Sequence, residues 1–151
     1  TARAALAAHV ARHGPGSLHA GNVGLGLALI LAARGDQAGA LAEARRGVDL
    51  RRAHYGPHHR DTASGQLLLA GMLLDFDDTP AALAVLDEVA AVPELPADLT
   101  LELRFLRARA DHDLGRTAEA LAEVRRIVGD AAGPDIPPLF RDELVAWLAT
   151  H

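Results

Sequence analysis

Apolar residues recur along this chain at three- and four-residue spacings in eight segments, and each segment is closed by Gly, Pro or a run of Asp and Thr. The first, 1–13, is Ala-rich and stops at Gly14-Pro15. The second spans about 18–33 and carries Leu25, Leu27, Leu29, Ile30 and Leu31. Arg34-Gly35-Asp36 then makes a turn, with Asp36 as the expected N-cap of a third helix over about 37–53. After Gly56-Pro57 a fourth helix is expected over about 61–74, and Asp77-Asp78-Thr79-Pro80 follows it. Thr79 is expected to cap the fifth helix, about 80–91, with Pro80 as its first residue, where a missing N–H costs nothing. Residues 93–96 link to a sixth helix over about 97–113. Thr117 is expected to cap a seventh that runs to Val128. A loop over 131–138 leads to the eighth, about 138–149, which carries Leu139, Phe140, Leu144, Val145, Trp147 and Leu148.

Strand-type runs are missing, and only 3% of the residues are aromatic although half are apolar. The core is therefore built from Ala and Leu, whose small faces suit close helix packing, and the fold class is all-α. At 151 residues the chain suffices for one domain with a substantial core.

Sliding the sequence 42 places against itself sets Gly14-Pro15 on Gly56-Pro57, Leu25 on Leu67, Leu27-Ala28 on Leu69-Ala70, and Ala40-Leu41-Ala42 on Ala82-Leu83-Ala84. A further 38 places sets Ala70 on Ala108, Ala82-Leu83 on Ala120-Leu121, and Thr62 on Thr100. Each unit thus holds two alanines twelve positions apart: Ala28 with Ala40, Ala70 with Ala82, and Ala108 with Ala120. They fall where two antiparallel helices cross, and a small side chain there lets the backbones approach. Periods of this size mark helical solenoids, whose units bury their apolar faces on one another.

The paired alanines and the turn glycines Gly35 and Gly115 resemble the tetratricopeptide repeat (TPR) family. The long period and the stretches His13-Gly14-Pro15-Gly16-Ser17 and Tyr55-Gly56-Pro57-His58-His59-Arg60-Asp61-Thr62 look like its kinesin-light-chain-type subgroup. The chain departs from that subgroup in three ways. Arg60 stands where a proline is usual after His59, the third unit links through Val92-Pro93-Glu94-Leu95-Pro96, and the Asn pair of the first helices is absent. The resemblance implies a right-handed solenoid of about eight helices: a half repeat at 1–13, units near 18–53, 60–91 and 97–129, and a terminal helix near 138–149. It implies a scaffold or regulatory module that holds a protein or peptide, not an enzyme. Similar arrays occur in large actinobacterial signalling ATPases and transcriptional regulators. The all-Arg basic set and the Ala-, Gly- and Leu-rich composition fit a GC-rich bacterial genome. A chain that opens Thr-Ala-Arg is expected to be a fragment of a longer protein.

In this family the first helix of each unit lines a concave groove. By that match the groove residues are Asn22, Leu25, Leu29 and Ala32 in the first unit, and Ser64, Leu67, Gly71, Leu74 and Asp75 in the second. In the third they are Glu102, Phe105, Arg109, His112 and Asp113. Leu25 and Leu67 stand where a carboxylate clamp would need Lys, so a hydrophobic or amphipathic segment is the expected occupant. An alternative is self-association into a homodimer through Phe140, Trp147 and Leu148 of the last helix.

A net charge of −5 argues against a nucleic-acid or acidic-membrane partner. The absence of cysteine removes disulfides and thiolate chemistry, and no apolar run reaches the ~18 residues of a membrane helix. With no signal peptide apparent, the expected location is cytoplasmic. His54, His58, His59 and Asp61 cluster, but adjacent histidines in a turn point apart, so His58 and His59 are expected to pack or cap rather than bind metal. Gly21-Asn22-Val23-Gly24-Leu25-Gly26 lacks both the spacing and the preceding strand of a nucleotide loop, and its glycines are expected to permit close helix packing. Asp75, Asp77 and Asp78 are expected to serve a turn and a cap, and His112 to sit at a helix end. No cofactor, metal site or catalytic residue is expected.

Overall fold

A computed structural model describes residues 1–133 and 136–151, with Ala2, His9 and His13 described in the backbone alone. Among the described residues the chain is all-helical, without strands. Its eight helices are α1 (Ala2–His13), α2 (Leu18–Ala33), α3 (Gln37–Tyr55), α4 (Arg60–Asp75), α5 (Thr79–Ala90), α6 (Ala97–Asp113), α7 (Thr117–Asp130) and α8 (Pro138–Thr150). Each helix packs against the next in the chain, and α4 also packs directly on α6. Helix ends fall within two residues of the expected ones, because the Gly, Pro and Asp signals that set them act locally. The loop expected over 131–138 includes Pro134 and Asp135, which lie outside the described residues.

The internal repeat is written into the backbone. The turns inside the three hairpins α2–α3, α4–α5 and α6–α7 each place one residue in the left-handed region: Gly35 (φ 79°), Asp77 (φ 61°) and Gly115 (φ 85°). The next N–H then folds back five residues, from Asp36 to Leu31 O (2.9 Å), from Asp78 to Leu73 O (2.8 Å) and from Arg116 to Asp111 O (2.9 Å). This is a Schellman closure, which satisfies a carbonyl that the helix end leaves unpaired. Between hairpins the left-handed residues are Gly14 (φ 85°), Gly56 (φ 94°) and Glu94 (φ 53°). Both series step by the same 42 and then 38 residues. All six described residues of positive φ fall on them, two without the glycine that makes such a conformation cheap.

The closure also corrects two expected caps. Asp78, not Thr79, caps α5, because the residue that completes the Schellman turn already stands at the cap position. Its Oδ1 accepts from Ala81 N at 3.2 Å, as Asp36 Oδ1 accepts from Gly39 N at 2.9 Å. Thr79 is instead the first residue of α5, and its hydroxyl lies 3.3 Å from Asp113 Oδ2 on α6. Likewise Thr117 is the first residue of α7, and Arg116 stands at the cap without a side-chain cap bond. Its guanidinium is turned back to Asp111.

Two apolar clusters fill the fold. One joins α2 to α6 through Leu25, Leu31, Val48, Leu67, Leu73, Leu86 and Leu106; the other joins α6, α7 and α8 through Phe105, Val124, Ile127 and Leu144. The six crossing alanines are all buried, as the repeat predicts. Between α2 and α3 the approach is closer still. A Cβ on Gly47 would lie 2.7 Å from Leu25 Cγ and 3.0 Å from Gly21 O, whereas one on Gly26 would meet nothing within 4 Å. Overpacking costs about 1–3 kcal/mol, against a gain of about 1 kcal/mol for Gly→Ala in a helix interior. Gly47→Ala is therefore expected to lose about 1 kcal/mol net and Gly26→Ala to gain up to about 1 kcal/mol. Urea unfolding followed by helical circular dichroism measures both, and midpoints that move the same way in the two variants would contradict this packing.

Candidate binding surface

The residues expected to line a groove fall in rows set by the repeat, one per first helix, and the structure divides those rows between core and surface. The row Leu25, Leu67, Phe105 is buried, with Leu67 wholly inaccessible and Phe105 2% exposed. Leu74 is buried as well. These four are core residues and not surface contacts, which corrects the expectation. For Leu67 and Leu74 the reason is that α4 is flanked by α3, α5 and α6, so it buries a much wider stripe than a helix packed on one side. Leu25 lies against Gly47 of α3, and Phe105 against Phe140 and Trp147 of α8.

The row Leu29, Gly71, Arg109 stays accessible. Leu29 is 52% exposed, and Gly71 and Arg109 are half-buried. An Arg109 guanidinium N–H donates to Asp75 Oδ1 at 2.6 Å, linking α6 to α4 across this face. Gly71 has only Leu106 Cδ2 near it, at 3.8 Å from where a Cβ would stand, so a side chain could be added there without a clash. Ala32 and Ser64 are half-buried, and Asp75 and Asp113 are exposed. Asn22 is exposed but engaged, since its Oδ1 accepts from Arg51 Nε (3.2 Å) and Nη2 (3.0 Å). Arg51 Nη1 also donates to Asp61 O at 2.8 Å, so Asn22 helps tie α2 to α3 and to the start of α4.

In the third unit α8 covers part of the expected groove. His112 meets the edge of Trp147 at 5.5 Å and of His151 at 4.8 Å. Glu102 is half-buried, and its carboxyl is raised from 4.5 to about 7, chiefly by burial and then by the charges of Glu143 on α8 and Asp98 on α6. The apolar side of α8 is itself used within the chain. Phe140 and Trp147 approach Phe105 edge-on at 6.1 and 6.0 Å, and Leu148 packs into the same cluster. Those three residues, expected to pair two chains, therefore face inward. The exposed large apolar residues of α8 are Leu139 (81%) and Val145 (50%).

The histidine turn is structural. His59 caps α4, its Nδ1 accepting from Asp61 N at 3.1 Å, and its ring stacks on Tyr55 at 4.5 Å. Among the described residues no group of His, Cys, Asp and Glu could hold a metal ion, and no helix is long and apolar enough to cross a membrane. Gly21 and Gly24 face α3 closely, as expected of packing glycines, whereas Gly26 does not.

One polar feature escaped sequence reasoning. Gln66 on α4 is 2% exposed and donates to Glu88 Oε2 at 2.6 Å, and Arg52 on α3 donates to the same oxygen at 2.7 Å. Three residues on three helices, each ordinary in its own segment, leave no local signal. No family model, curated protein or solved structure matches the chain.

Proposed function

We propose that the chain is a TPR-type module, a right-handed solenoid of helical hairpins, which holds a protein or peptide segment across the accessible faces of α2, α4 and α6. In this reading it is a cytoplasmic regulatory or scaffolding part of a larger bacterial signalling or transcription-regulatory protein, and not an enzyme. The observation that carries it is the recurrence of the same two left-handed turns at the same steps, which supports reading the hairpins as copies of one unit. Copies stacked in series present equivalent rows of side chains, the usual basis of an extended binding face. Here the accessible row grades from apolar Leu29 through Gly71 to the Arg109–Asp75 pair, which suits an amphipathic segment with charge toward one end.

A displayed peptide library panned on the chain tests this. Enriched peptides are expected to lose about tenfold or more in affinity on Leu29→Glu and on Arg109→Glu, while both variants keep their helical circular dichroism. Peptides that bind both variants as well as the parent chain, or no enrichment over bare matrix, would overturn the assignment.

A further inference from the structure

The Gln66–Glu88–Arg52 cluster lies on a different face of α4 from Ser64 and Gly71, and it has the makings of a second site. Two adjoining clefts share these three residues. One, of about 200 Å³, is completed by Arg45, Val48, Asp49, Leu69 and Val85; the other, of about 350 Å³, by Pro57, His58 and Ala91. Two buried polar atoms of the shared residues have no protein partner, the acceptor Gln66 Oε1 and the donor Arg52 Nε. Leaving such atoms unpaired is costly, and buried side-chain groups ordinarily find partners. The two are complementary in kind, and in the closed cleft both side chains meet on the same Glu88 oxygen.

We propose that this cleft binds the main chain of an extended peptide, one residue of which donates its N–H to Gln66 Oε1 and accepts with its C=O from Arg52 Nε. The charges at the rim favour a neutral ligand, because Arg45 and Arg52 are balanced by Asp49 and Glu88. The walls favour apolar flanking groups, with Val48, Leu69 and Val85 on one side and Pro57 and Ala91 on the other. Entry requires the Arg52–Glu88 bridge to swing aside. Its side chains are 40% and 56% exposed, and ion pairs so placed are held weakly. The lobes together fall within the size range of small-ligand sites.

The test is a nuclear magnetic resonance titration of the whole chain with capped trialanine, which carries peptide units and no charge. Saturable shifts are expected at the Gln66 side-chain amide and at Val48, Leu69 and Val85, with a dissociation constant on the order of 1 mM. Gln66→Leu is expected to weaken binding about tenfold. Arg52→Lys, which keeps the charge facing Glu88 but lacks the Nε donor, tests the other half at a partly exposed position where folding is not at stake. It is expected to weaken binding several-fold while Gln66 still shifts. The proposal is overturned by equal shifts with acetate or methylammonium, by undiminished binding in both variants, or by a water at Gln66 that trialanine does not displace. Substitutions at Leu29 or Arg109 leave this titration unchanged if the two surfaces are separate, so failure here and failure of the α2–α4–α6 assignment are distinguishable.

Discussion

Replacing Phe105 with alanine is expected to remove about 3–5 kcal/mol of stability, the usual cost of truncating a buried aromatic residue, and to release α8 before the rest of the chain unfolds. Phe105 is the hub of the smaller apolar cluster. It contacts Phe140 and Trp147 edge-on and shares their cluster with Leu144, Val124 and Ile127. Helix α8 packs chiefly on α7, and it reaches α6 through this aromatic group. Without the ring, α8 keeps few apolar contacts to offset the entropy of ordering it. Trp147 is the only tryptophan, so its fluorescence reports α8 directly. In the variant its emission is expected to shift red at urea concentrations where the helical signal is still near native. Coincident transitions, with a loss under about 1 kcal/mol, would show that Phe105 does not anchor the helix.

The positions legible in the sequence are those set by local chemistry. Gly35, Asp36, Gly56-Pro57 and Pro80 each impose or permit one backbone conformation, so helix ends could be read without knowing what packs on what. The crossing alanines were legible through repetition, because a constraint imposed three times leaves the same residue three times. What stayed hidden depends on partners distant in the chain. Leu67 lies on the same helix as Gly71, and both carry the repeat register, yet one is core and the other surface. The difference is fixed by how many helices surround α4, and its own residues do not record that number. Phe105 was misplaced for a related reason. The helix that covers it begins more than thirty residues later and belongs to no complete unit. Gly47 shows the limit of the alanine rule, since the closest approach of α2 and α3 is made by a glycine outside the repeated pattern. The Gln66 cluster shows the limit of motif reading, because its chemistry is spread over three helices.

Glu102→Gln is expected to stabilise the chain by about 2 kcal/mol near pH 8 and to change little near pH 5. In the fold the carboxyl is raised from 4.5 to about 7, first by burial, then by Glu143 and Asp98. Below 4.5 it is protonated in both folded and unfolded chains and costs nothing. Between 4.5 and about 7 the folded chain keeps a proton that the unfolded chain has released, so stability falls as pH rises. Above that range both states are ionised, and the fold carries the whole penalty of a charge held beneath α8. The full shift corresponds to about 3 kcal/mol, and partial exposure of Glu102 brings it to about 2 kcal/mol through solvent screening. Glutamine carries no charge at either pH and escapes the penalty. Since burial outweighs the neighbouring charges, Glu143→Gln should recover a smaller share, which separates desolvation from repulsion between α6 and α8. Urea midpoints at the two pH values measure both variants. A gain from Glu102→Gln that is the same at both would mean that the carboxylate stays ionised beneath α8 throughout, and that the helix closes over a charge the fold already accommodates.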